Sequence, residues 1–172
     1  GGDNVLAGLA LYDGEVENIA AGQAWAAARL EQSREAARLC IDYALGAVYI
    51  LDLRLHPRDR ITWMDAARRA AKLLGDRQNE GAALGNLGLA HRNLGEPETA
   101  IGYYARQLAI AREVGDRDGE GNACFNRALA CDDLGRRAEA IPWAEQALAI
   151  FEAIGAPAAE KTRQLLAEWR GE

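Results

Sequence analysis

Side chains able to do acid–base, metal or nucleophilic chemistry are few in this chain, and they lie far apart. His56 stands beside Pro57 at a turn and His91 sits on an apolar stripe, so both read as structural rather than as a base or a ligand. Cys40, Cys124 and Cys131 are odd in number and lack metal-type pairing; they read as small buried thiols of a reduced, cytosolic protein. No G-x-x-x-x-G-K-[ST], H-E-x-x-H or Cys-x-x-Cys occurs. The expectation is therefore no catalytic residue, no metal and no cofactor. What the side chains offer is hydrogen bonding. Asn86 and Asn126 stand forty positions apart, and each amide supplies one acceptor and two donors, a set that can hold the backbone of an extended peptide whatever its sequence.

That spacing belongs to a repeat. Shifting the chain by forty places Gly75-Asp76-Arg77 on Gly115-Asp116-Arg117, Glu80-Gly81 on Glu120-Gly121, Leu94-Gly95 on Leu134-Gly135 and Leu108-Ala109-Ile110 on Leu148-Ala149-Ile150. A fixed period of this size marks a solenoid, whose units bury their apolar faces against their neighbours. Within one unit Leu84, Leu87, His91 and Leu94 recur at helical spacing, a break follows at Gly95-Glu96-Pro97, and Ala100, Ile101, Tyr104, Leu108 and Ala111 form a second stripe ending at Gly115. Gly95 suits a left-handed helix end and Pro97 a helix first turn, so each unit is an antiparallel helix pair.

The expected organisation is one helical domain over 1–172. Degenerate helices occupy 14–75, repeat units 76–115 and 116–155, and a capping helix 156–170. Among the degenerate helices, one spans about Gly14–Gln32 and one about Ser33–Leu55, the latter carrying Leu39, Tyr43, Ala47 and Ile50 and breaking at His56-Pro57. Pro157 starts the cap, with Leu165, Leu166 and Trp169 inward and Lys161, Arg163 and Gln164 on its wet side. The opening Gly1-Gly2 reads as the interior of a longer natural chain or an artificial boundary.

Composition narrows the function. Twenty basic against twenty-six acidic residues give a net charge of -6, which opposes attachment to nucleic acid or anionic lipid. No apolar run reaches the roughly 18 residues of a membrane span. A protein or peptide is the expected partner, and edge helices bearing Trp25, Tyr49 or Trp169 make a homo-oligomer the rival expectation.

The stretch Leu84–Leu108 carries Leu87-Gly88, Leu94-Gly95, Ala100 and Tyr104, and on these residues it resembles the tetratricopeptide repeat in its forty-residue variant. The phrase Glu17-Asn18-Ile19-Ala20-Ala21-Gly22-Gln23-Ala24-Trp25-Ala26 and the closing Gln164–Gly171 are similar to the repeat region of bacterial multidomain proteins in which an NB-ARC or related nucleotide-switch domain comes first. The resemblance implies an all-α, right-handed α-α superhelix (a tetratricopeptide solenoid) of about eight antiparallel helices. It also implies a concave groove for a peptide or partner domain, and a place as the sensor arm of a larger signalling protein.

In such arrays the first helix of each unit lines the groove, which singles out Asn86, Leu89, Arg92 and Asn93 in one unit and Asn122, Phe125, Asn126, Arg127 and Asp133 in the next. Alternatives stand beside these assignments. The asparagines fit a peptide ladder or a bond to a neighbouring helix, Phe125 fits ligand or core, and Asp132-Asp133 fit a solvated helix end or a clamp for basic peptides. The second unit departs from the pattern with Arg127 for Leu87 and Ala128 for Gly88, and Gln107 stands where alanine is usual. A buried arginine is costly unless paired, so Arg127 is expected at the rim or against Asp132 or Glu139.

Overall fold

The computed structural model describes the backbone of residues 2–46 and 55–171 and, in the first helix, the side chains of Ala10 and of Tyr12 onward. Among these residues eight helices follow one another: α1 (Gly2–Arg29), α2 (Arg34–Gly46), α3 (Pro57–Leu74), α4 (Arg77–Asn93), α5 (Pro97–Val114), α6 (Arg117–Asp133), α7 (Arg137–Ala153) and α8 (Ala158–Arg170). Among the described residues there is no strand. The all-α architecture is thus as the sequence reads. The chain divides into two compact units, Gly1–Asn79 and Glu80–Glu172.

The helix ends are set by a glycine every twenty residues. Gly75, Gly95, Gly115, Gly135 and Gly155 all have φ between 66° and 77°, the left-handed region that costs a side-chain-bearing residue about 1 kcal/mol. After each, the next backbone N–H returns to a carbonyl five residues back: Asp76 to Ala71 at 2.8 Å, Glu96 to His91 at 3.0 Å, Asp116 to Ala111 at 2.9 Å, Arg136 to Cys131 at 3.0 Å and Ala156 to Phe151 at 2.8 Å. This closure satisfies carbonyls that the helix end would otherwise orphan. Helix starts recur with the same regularity. The Asp76 carboxylate accepts from the Asn79 N–H at 3.1 Å, and the Asp116 carboxylate from the Gly119 N–H at 2.8 Å.

In the first unit, Ala26 of α1, Leu30 just beyond its end, Ala37, Cys40 and Ile41 of α2, and Ala66, Ala70 and Ala71 of α3 form one buried cluster. Two boundaries differ from the sequence reading. Helix α1 begins at Gly2 rather than near Gly14, because a single interior glycine costs about 1 kcal/mol against alanine, too little to end a helix. Helix α2 begins at Arg34, its N-terminus capped by the Ser33 hydroxyl, which accepts from the Ala36 N–H at 3.2 Å. Ala47, Tyr49 and Ile50 lie outside the described residues. His56 caps α3, its Nδ1 accepting from the Arg58 N–H at 3.2 Å.

In the second unit, paired volumes hold the helices together. A Cβ on Gly88 would stand 2.4 Å from the Tyr104 ring, and one on Gly85 2.7 Å from the Gln107 amide. One repeat later the same four positions hold Ala128 facing Ala144, and Phe125 facing Ala147. In the second pair the large residue changes sides, and the volume it gains offsets what the first pair loses, so the four positions together keep roughly their volume. Gln107, anomalous in sequence, therefore fills the space that Gly85 leaves. Helix α8 buries Leu166 and Trp169 against Ala128, Cys131, Ala140 and Ala144, and exposes Lys161, Arg163 and Gln164.

Candidate binding face

Each residue expected to meet a ligand lies on α4 or α6, and their helix ends are joined directly. The Arg92 guanidinium donates from Nε to Asp133 Oδ2 at 2.5 Å and from Nη2 to Asp133 Oδ1 at 3.2 Å. Asp133 holds the Arg92 charge firmly, raising its pKa. This two-point pair links consecutive repeats across 41 positions of sequence. With Asn93, Gly95 and Pro97, the pair borders an open depression of about 380 Å³. Asp132, its neighbour, accepts from Arg137 at 2.9 Å. The acidic dipeptide is thus neither a bare solvated end nor a vacant clamp, since both carboxylates already hold arginines of their own chain.

Asn86 and Asn126 occupy equivalent places on α4 and α6, and both are half-buried. The Asn86 amide donates to the Ala82 carbonyl of its own helix at 3.0 Å, which orients the side chain and engages one of its two N–H groups. Asn126 has no hydrogen-bond partner among the described residues. Asn122 donates to Asp118 one turn back at 2.8 Å. Leu89 is half-buried and Asn93 exposed. An outward row of amides flanked by one leucine can accept and donate along an extended backbone.

Phe125 is half-buried and packs against the core, its ring edge-on to Phe151 at a centroid distance of 6.5 Å, with the Lys161 ammonium 5.6 Å from the ring centre. Core and face share this residue. Arg127 is half-buried, in keeping with the rim position, and the carboxylate alternative is corrected: it pairs with neither Asp132 nor Glu139. Its guanidinium lies 4.0 Å from the centre of the Trp143 ring, and its Nε is enclosed without a hydrogen bond. An aromatic face is electron-rich and accepts a weakly hydrated guanidinium, which explains how an arginine replaces the fully buried Leu87 of the preceding repeat.

The groups with conventional reactivity serve the scaffold. His91 stacks on Tyr103 at 5.1 Å and contacts Glu96 through Nδ1 at 2.7 Å. The Cys124 thiol is fully buried, donates to Gln146 Oε1 at 3.2 Å, and is pushed up by desolvation to a pKa of about 11. Burial raises Cys40 and Cys131 as well. Sequence reasoning missed Glu120, which is buried with an ion pair to Arg112 at 2.8 Å and another to Arg117. Its signal was the repetition of Glu80-Gly81 at Glu120-Gly121, since a carboxylate kept at equivalent inward positions implies a partner.

Antiparallel helix pairs repeated every forty residues, closed by left-handed glycines and presenting first-helix amides, define a helical-repeat scaffold. Residues 79–153 match the tetratricopeptide repeat family model. The crystal structure of the tetratricopeptide domain of Arabidopsis FLU superposes with a TM-score of 0.63 at 22% identity, covering 68% of this chain and 98% of that one. That likeness is one of fold. No curated protein matches the chain. Repeats of this kind in general mediate protein–protein interaction and are not enzymes. Among the described residues no helix is long and apolar enough to cross a membrane.

Proposed function

We propose that the second unit binds a protein partner on the face formed by α4 and α6, taking an extended segment or the edge of a partner domain. The observation that carries this reading is the pair Asn86 and Asn126, half-buried at equivalent positions, with Asn86 already oriented by its bond to Ala82. Peptide backbone supplies the affinity in this reading. Specificity comes from Leu89, Asn93, Asn122 and Phe125, and from exchange of the Arg92–Asp133 pair for a ligand charge.

The similarity of Glu17–Ala26 and Gln164–Gly171 to bacterial nucleotide-switch proteins supports a place for this chain as the sensor arm of a larger signalling protein. The test is affinity capture from source-cell lysate with the wild-type chain and with Asn86→Ala/Asn126→Ala, read by mass spectrometry. A partner enriched by the first and lost by the second is the expected result. Equal recovery by both would remove the amide row from the mechanism.

A further inference from the structure

The first and last helices of the chain differ in the faces they leave exposed. Helix α8 turns a charged side outward, with Arg163 bonded to Glu152 at 2.7 Å and paired to Glu160, and Arg170 paired to Glu145. Helix α1 buries Tyr12, Gln23 and Ala26, and its opposite face exposes Trp25, 47% accessible, among Ala21, Ala24 and Ala28. An exposed indole on an apolar helix face, where the last helix is polar, marks a surface that another element covers.

We infer that this face pairs with α1 of a second copy, in antiparallel orientation, an interaction separate from the binding face on α4 and α6. The charges specify the occupant. Glu15 and Arg29 lie on one flank of α1, fourteen residues apart and symmetric about Gly22. Asn18 donates to Glu15 at 2.7 Å, and the Arg29 guanidinium sits 4.9 Å from the centre of the Trp25 ring. In an antiparallel two-fold pair like flanks meet, so Glu15 of each copy faces Arg29 of the other. In a parallel pair opposite flanks meet, so Glu15 and Arg29 of the two copies would lie on opposite sides of the seam and make no such pairing. The same antiparallel axis lays each Trp25 over the other copy's Asn18 and Ala21, where small side chains leave room for an indole. The sixteen residues Gly14–Arg29 make a seam about 24 Å long at 1.5 Å per residue. One helix pair of that length lies at the low end of interface sizes, so the dimer is concentration-dependent.

Sedimentation velocity on the whole chain from about 1 to about 500 µM tests this directly, a range that spans weak assemblies. Growth of a dimer with concentration is expected, and Trp25→Glu abolishes it with an unchanged far-ultraviolet circular dichroism spectrum. Glu15→Arg and Arg29→Glu each weaken association by about fivefold, and the two together restore it to within about twofold. A chain that stays monomeric throughout, or a Trp25→Glu variant that dimerises like wild type, overturns the inference. Failure of the double charge reversal to restore association overturns the antiparallel arrangement.

Discussion

Arg127 and Trp143 show how a cation is accommodated where the repeat pattern calls for leucine. The stack at 4.0 Å takes the place of the carboxylate that a buried arginine ordinarily requires. A double-mutant cycle on Arg127→Ala and Trp143→Ala, measured by urea unfolding, is expected to give a coupling of about 1 kcal/mol. A coupling near zero would mean that the stack is incidental. Cys124 yields a pH prediction. Burial raises its pKa from 9.0 to about 11, so above pH 9 the unfolded thiol ionises while the folded one stays protonated. Stability is thus fully present below pH 9 and falls as pH rises toward 11. The melting temperature should drop more steeply over that interval in wild type than in Cys124→Ala; parallel slopes would contradict it. At this scale the sequence revealed the asparagine pair, because the repeat aligns them. It hid Arg92–Asp133 and Arg127–Trp143, because those partners meet across helices and no local spacing encodes the contact.

At the scale of elements, the exchange of volumes between repeats governs tolerance to substitution. Gly88→Ala should destabilise the chain by about 1–3 kcal/mol, since the new methyl meets the Tyr104 ring in a close-packed crossing. In the Tyr104→Ala background the same change should cost much less, because that background reproduces Ala128 facing Ala144. Equal costs in both backgrounds, read by chemical denaturation, would show that the crossing is not the constraint. The glycine and proline punctuation made most helix boundaries legible: Pro97 and Pro57 open helices and Gly95 and Gly115 close them. The start of α1 was not legible, because a lone glycine only weakens a helix and the buried Tyr12 anchors an earlier turn.

At the scale of the molecule, the forty-residue repeat was readable from end to end in the second unit, and it is this unit that matches the tetratricopeptide family model. Its integrity depends on the terminal helix. Trp169→Ala, which empties part of the cluster shared by α6, α7 and α8, should cost about 3–5 kcal/mol in thermal or chemical unfolding. A loss below 1 kcal/mol would mean that α8 is an appendage and the array ends at α7. The candidate face was legible only as a set of positions, since the repeat locates outward residues while their internal partners depend on three-dimensional neighbours. The central claim is that this face binds a protein through its amide row. Isothermal titration of the captured partner into wild type and into Asn86→Ala/Asn126→Ala tests it most directly. Affinity at least tenfold weaker in the variant, about 1.4 kcal/mol, is expected with an unchanged fold. Equal affinities would contradict it.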